Sequence, residues 1–383
     1  MSNDDLGTRL SGSLHDHVDR LAGEHVGLYD VQQRAGRIRR TRRIVTVVAA
    51  AAVAAVVVPT ALFVSSPSGD NGPGPVASKS PSPAAPGPVD VTVPAEPPVG
   101  DQPRVEVLDG RDYQHFVRIG GVLFLGVGTK DGNRVLDIVD GPGESSVTHT
   151  GVDQVVVSPD GTTAAWTEPD GSVWTAWEGG RLELDQQAAG VTPAAVVGDG
   201  NCGSSESDSC TVYLNPAGEG TPSFVASDGR TGTVTPDAIK VNDISDSLAA
   251  TQTSYHDGRA CSELYDLSLG ERRWETCDYA LLRFSPDGRY LMATNSDADG
   301  IGLTSISVLR ATTGDPVATY RVEDGFIGAQ EWEDDGHLLF VRFSYGSGSW
   351  DIVRADLDGT SQRSAEPVSA SEDERPYSLE GNR

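Results

Sequence analysis

The residues best placed to do chemistry are acidic and sit beside glycine. Asp131, Asp170, Asp208, Asp257, Asp297 and Asp299 lie in short segments rich in glycine and serine, namely TKDGN, EPDG, DGNCGSSESDSC, SYHDGRA and NSDADGIG. Carboxylates gathered on one surface attract a cation or a basic partner. Asp-Gly is also the best two-residue hairpin chemistry, because both positions then tolerate positive φ. One segment is sharper. Asn295, Asp297 and Asp299 offer oxygen donors at alternate positions ahead of Gly300, as a calcium loop does. Its twelfth position is Ile306, where such a loop carries a bidentate Glu, so the affinity expected is millimolar at best. No other cofactor is expected.

Four cysteines add a second kind of chemistry: Cys202 close to Cys210, and Cys261 close to Cys277. They contain no Cys-x-x-Cys and no histidine at ligand spacing, which disfavours zinc. Four cysteines allow three connectivities, and the economical one pairs Cys202 with Cys210 and Cys261 with Cys277 as disulfides of an oxidising compartment. Enzyme signatures are absent. There is no Gly-x-Ser-x-Gly elbow, Ser347 stands in a Gly-Ser loop without a visible base, and His115, His149, His256 and His337 fall in separate segments. The expectation is a protein that binds and does not catalyse.

These residues must be positioned by the elements around them, and the chain is sharply divided. Ile44–Val64 is an apolar run without a charge, about 30 Å long as a helix and enough to span a bilayer. Arg37, Arg39, Arg40, Arg42 and Arg43 precede it, which places the N-terminus in the cytoplasm and the remainder outside. Residues 1–43 carry an apolar stripe of Leu6, Leu10, Leu14, Val18 and Leu21 at helical spacing. This segment resembles the short inner parts of actinobacterial single-pass proteins encoded beside extracytoplasmic-function sigma factors. The resemblance implies an alternative role, anti-sigma-like regulation of a cytoplasmic partner, although residues 1–43 lack the cysteines of the zinc-type motif. Residues 65–103 read as a Pro-rich linker that holds the following domain away from the membrane. The net charge of −27 lies entirely beyond residue 104, because residues 1–43 carry +2 and residues 44–104 carry −2. Such a domain repels nucleic acid.

From residue 104 onward, short apolar runs alternate with Asp-Gly turns. VVVSPDGTTAAW from Val155 and LLRFSPDGRYLMA from Leu281 match closely, with Asp160 and Asp287 in equivalent places. Weaker echoes at Asp199, Asp246 and Asp335 continue the series, at steps of roughly 44 residues, the length of a propeller repeat. With an earlier copy at Gly120-Gly121, that makes six repeats of four short strands, the pattern of a six-bladed β-propeller. The SPDG turns and SWDIVRADLDGT from Ser349 resemble the Trp-Asp-like repeat of TolB-type propellers, which implies the same all-β fold. The organisation expected is a cytoplasmic segment 1–43, a transmembrane helix 44–64, a linker 65–103, an exported propeller 104–365 and a disordered tail 366–383. RVEVL at 104–108 is expected to pair with the sixth repeat and close the ring. The function expected is extracytoplasmic binding or sensing by a protein anchored in the cell membrane. Chemistry in the central channel is a third reading, and three or more His or carboxylate side chains clustered at its mouth would favour it.

Overall fold

The SPDG motif shows how the repeat sequence becomes structure. Ser158 Oγ donates to Asp160 Oδ1 at 2.6 Å and accepts the Thr163 amide at 3.0 Å. Asp160 Oδ1 in turn accepts the Thr162 amide. In the second copy Ser285 Oγ donates to Asp287 Oδ1 at 2.7 Å and accepts the Tyr290 amide at 3.0 Å. Gly161 and Gly288 take φ of 70° and 71°, a left-handed conformation that glycine adopts without penalty. The two side chains thus satisfy the backbone at a bend where no ladder is available. Each copy then launches the second strand of its repeat.

The computed structural model describes residues 89–93, 113–120, 123–140, 147–198, 200–203, 210–298, 302–377 and 379. The first strand is β1 (Val89–Val93). Blade I contains β2 (Tyr113–Ile119), β3 (Leu123–Lys130), β4 (Asn133–Asp140) and β5 (Val147–Thr150). Blade II contains β6 (Val155–Val157), β7 (Thr163–Thr167), β8 (Ser172–Trp177) and β9 (Gly180–Gln186). Blade III contains β10 (Thr192–Val197), β11 (Thr211–Asn215), β12 (Ser223–Ala226) and β13 (Thr231–Thr233). Blade IV contains β14 (Lys240–Ser245), β15 (Leu248–His256), β16 (Arg259–Asp266) and β17 (Glu271–Thr276). Blade V contains β18 (Tyr279–Phe284), β19 (Tyr290–Asn295), β20 (Ser305–Arg310) and β21 (Pro316–Val322). Blade VI contains β22 (Gly325–Trp332), β23 (His337–Ser344), β24 (Ser349–Asp356), β25 (Ser361–Arg363) and the short β26 (Val368–Ser369). Six sheets, each an antiparallel meander from inside to outside, make an all-β six-bladed propeller.

The joints between blades hold the core. Ile119, Leu125 and Leu136 of blade I pack with Val155 and Trp166 of blade II. Val173 of blade II meets Val196 and Leu214 of blade III, and Ala195 meets Val241 and Ile244 of blade IV. Leu264 meets Leu281 and Phe284 of blade V, while Tyr320 and Ile306 meet Trp332 and Phe340 of blade VI. Every side chain named in these five joints is buried.

Both ends of the domain depart from the sequence reading. Val89–Val93, inside the stretch read as linker, is a strand, and it pairs in parallel with β21 from Val89↔Ala318 to Val93↔Val322. It becomes the outermost strand of blade V, with Val93 fully buried in the joint with blade VI. Residues 104–108, expected to close the ring, lie outside the described residues. Residues 366–377 are not a disordered tail. β26 pairs with β24 at Trp350↔Val368, Trp350 Nε1 donates to Ser371 O at 2.9 Å, and Leu379 is 9 % exposed beside Tyr377. Their polar composition hides a few apolar anchors, and those decide the matter. Residues 1–64 also lie outside the description. Among the described residues no helix is long and apolar enough to cross a membrane.

Candidate binding face and central channel

In a four-stranded meander the loops joining second to third strands emerge on the same face as the loops leading into the next blade. That face carries Asp131, Asp170, Asp257 and Asp297, all exposed. Two of them are built into hairpins. Asp131 and Gly132 have φ of 52° and 78°, and Asp257 and Gly258 have 53° and 77°. Both connect strands that pair immediately on either side, Lys130↔Asn133 and His256↔Arg259, as a two-residue type I′ hairpin requires. Asp170 Oδ1 accepts the Ser172 amide at 3.0 Å. Asp131 and Asp257 thus occupy hairpin turns, Asp170 holds one with its carboxylate, and all four remain exposed.

In blade III the first and second strands, β10 and β11, are joined through Gly198 to Cys210. Asp208 and Asp299 themselves lie outside the described residues. Of the calcium loop, Asn295 ends β19 opposite Tyr279, its carbonyl accepts the Ala298 amide, and Asp297 is exposed.

Four further aspartates join the face from the loops between blades: Asp153, Asp237, Asp278 and Asp324, all exposed. Sequence reasoning passed over these loops because they follow irregular outer strands. A signal was present in Asp324-Gly325, and Asp324 takes φ of 51°. Lys130, Arg134 and Arg259 also stand here, and Arg134 Nε lies 3.4 Å from Asp153. Tyr255 and Tyr345 are 56 % and 54 % exposed at the ends of their hairpins. Tyr345 rests on Phe326 and Phe343, with ring centres 6.0 and 5.6 Å away.

Both disulfides form as the spacing suggested. Cys261–Cys277 extends the β16–β17 pair at this face, and Cys202–Cys210 staples the β10–β11 loop on the other.

The channel is lined by the inner strands β2, β6, β10, β14, β18 and β22. His115 Nε2 donates to Val155 O at 3.2 Å, across blades I and II. Its pKa falls from 6.5 to about 4, chiefly through burial and then the Arg283 charge, against the pull of the Val155 bond, with Arg375 adding to the fall. It is therefore neutral at pH 7, with Nδ1 left as the basic nitrogen. Arg283 Nη1 bonds both oxygens of Glu331 at 2.8 and 2.9 Å, tying blade V to blade VI. Asp243 Oδ2 accepts the Phe284 amide at 2.8 Å, tying blade IV to blade V. These groups act as staples between blades.

Among the described residues, the cluster of three groups with metal-ligating atoms is Glu333, Asp334 and His337, in the β22–β23 turn on the opposite face. Its members are engaged with one another and with neighbours. His337 Nδ1 lies 2.7 Å from Asp334 Oδ1 and its Nε2 lies 2.9 Å from Asp356 Oδ1, while Arg354 holds Glu333.

No protein-family model matches the chain, and no curated protein does. Among solved structures, the β-propeller domain of Cps50 (Swd1) from Myceliophteria thermophila is similar at a TM-score of 0.48 with 9 % identity, over 69 % of this chain and 88 % of that one. The β-propeller domain of the Trilobed protease from Pyrococcus furiosus is similar at a TM-score of 0.45 with 12 % identity, over 68 % and 86 %. The description of this chain as a six-bladed β-propeller rests on its own six sheets.

Proposed function

We propose that this protein is a membrane-anchored, extracytoplasmic binding module of TolB-like type. Residues 44–64 hold it in the membrane, and the face of second-to-third-strand loops receives a basic protein. The observation that carries the reading is the set of exposed aspartates converging on one face beside Tyr255 and Tyr345. Two disulfides suit an oxidising compartment. The apolar segment and its arginine flank supply the topology. Binding needs no catalytic group, and the channel residues are already committed to joining blades.

The test separates charge from turn shape. Asparagine occupies the same turn conformations as aspartate, so a variant carrying Asp131→Asn, Asp170→Asn, Asp257→Asn and Asp297→Asn keeps the hairpins and loses four charges. Purified wild type and variant are used to capture basic proteins from a cell-envelope extract, with each partner's affinity then measured. The variant is expected to bind roughly tenfold more weakly, because each exposed ion pair contributes only a few tenths of a kcal/mol to about one. Binding by the wild type should also collapse at about 0.5 M salt, where exposed charges are screened. Equal affinity of both proteins for the same partner, insensitive to salt, would overturn the proposal.

A further inference from the structure

Five of the six joints in the ring are made by apolar clusters shared between two blades. Among the described residues, no such cluster joins blade VI to blade I. The face of blade VI turned away from blade V carries Phe326, Val341, Phe343, Trp350 and Ile352, and the residues completing that cluster are Ala365, Ala370, Tyr377 and Leu379. None of its members comes from blade I. The face of blade I turned away from blade II presents Tyr113, Phe116 and Phe124, all half-buried, with Tyr113 and Phe124 ring centres 5.3 Å apart. The segment after β25 therefore covers the face of blade VI that is turned away from blade V.

Its course is specific. β26 adds two residues to the end of β24 that β25 leaves uncovered, at Ser349↔Ser369 and Trp350↔Val368. The chain then crosses blade VI, accepting a hydrogen bond from Trp350 Nε1 at Ser371 O. Arg375 reaches the inner strand, where its Nη1 donates to Gly328 O at 2.6 Å. Tyr377 bonds back to Glu366 O, and Leu379 seats beside the aromatic cluster. Between these anchors the segment is exposed from Glu366 to Ser369 and from Ser371 to Pro376. A stretch held by a two-residue ladder, a few hydrogen bonds and four apolar side chains, two of them alanines, opens at far lower free energy than a blade.

We propose that residues 365–379 are a releasable latch, bound in a slot on the face of blade VI turned away from blade V, and that this slot accepts the same segment supplied as a separate peptide. The slot recognises an extended chain that offers two strand residues to β24, then an arginine to the Gly328 carbonyl, then a tyrosine and a leucine at alternate positions. While the latch is seated the slot is filled from within. A partner presenting a segment of that chemistry competes with it.

The test uses the full chain and a labelled peptide of residues 364–383. A variant with Tyr377→Ala and Leu379→Ala loses the two apolar anchors of its own latch. The peptide is expected to bind this variant at least about tenfold more tightly than wild type, and a peptide carrying the same two changes should not bind. Failure of the peptide to bind a variant that still melts cooperatively would overturn the proposal. Hydrogen exchange on the unaltered protein gives a second reading, which stands even if the variant does not fold. The amides of residues 368–371 should exchange through an opening well below the one that exposes the centres of β23 and β24. Exchange of both sets only through a common global opening would also overturn it.

Discussion

His115 shows how one side chain carries information about the whole channel. Its Nε2–H is fixed by the Val155 carbonyl, and burial with the Arg283 charge holds it neutral down to about pH 4. In the unfolded chain it titrates near 6.5. Between those values the unfolded state binds a proton that the folded state does not, so stability falls as pH drops through this window, with a slope of up to about 1.4 kcal/mol per pH unit. His115→Gln should flatten that part of the stability curve, measured by urea unfolding at pH 6.5, 5.5 and 4.5. A wild-type slope that survives the substitution would show that other groups set it. At the same scale, the sequence revealed some roles and hid others. Ser158 and Asp160 were legible because a turn's chemistry is local, and the exposed positions of Asp131, Asp170, Asp257 and Asp297 were legible for the same reason. His115 was not, because Val155 and Arg283 are remote from it in sequence and only the closed ring brings them together.

The strands themselves were read well wherever a turn marked their ends. In blade V the apolar runs on either side of the SPDG turn of LLRFSPDGRYLMA are β18 and β19. β1 was missed because Pro88 and Pro94 enclose it in a stretch whose composition says linker. The signal was the alternation of Val89, Val91 and Val93, too short to outweigh the prolines yet sufficient once β21 supplied an edge. Proline at both ends suits an edge strand, since neither interrupts the ladder. Val93 is fully buried and Val91 packs on the same cluster. Val91→Ala with Val93→Ala should therefore destabilise the propeller by about 2–3 kcal/mol, from lost methyl burial and an incomplete refilling of the joint. Thermal melting checks this, and an unchanged midpoint would return these residues to the role of linker.

At the scale of the molecule, both disulfides lie within a blade and neither crosses a joint. Closing two such short loops contributes about 2–3 kcal/mol each by limiting the unfolded chain. Reduction should lower the melting temperature and leave the dimensions of the ring unchanged in small-angle scattering. Expansion on reduction, below the melting transition, would show that the bridges hold the ring itself. The blade count was legible because six copies of a turn recur at nearly even steps. The closure was not, since the sequence offers several short apolar runs near both ends and nothing local ranks them.

The placement of β1 also has a mechanical meaning. It is the described element nearest in sequence to residues 44–64, so on the membrane anchoring proposed above, tension from that side loads the β1–β21 ladder before any other element. Pulled along the strand, its evenly spaced parallel hydrogen bonds resist together in shear. Pulled across it, they yield one at a time, as a strip peels. On that anchoring the propeller is gripped at the edge of one blade and not at its axis, and the strength of the grip depends on the direction of the force.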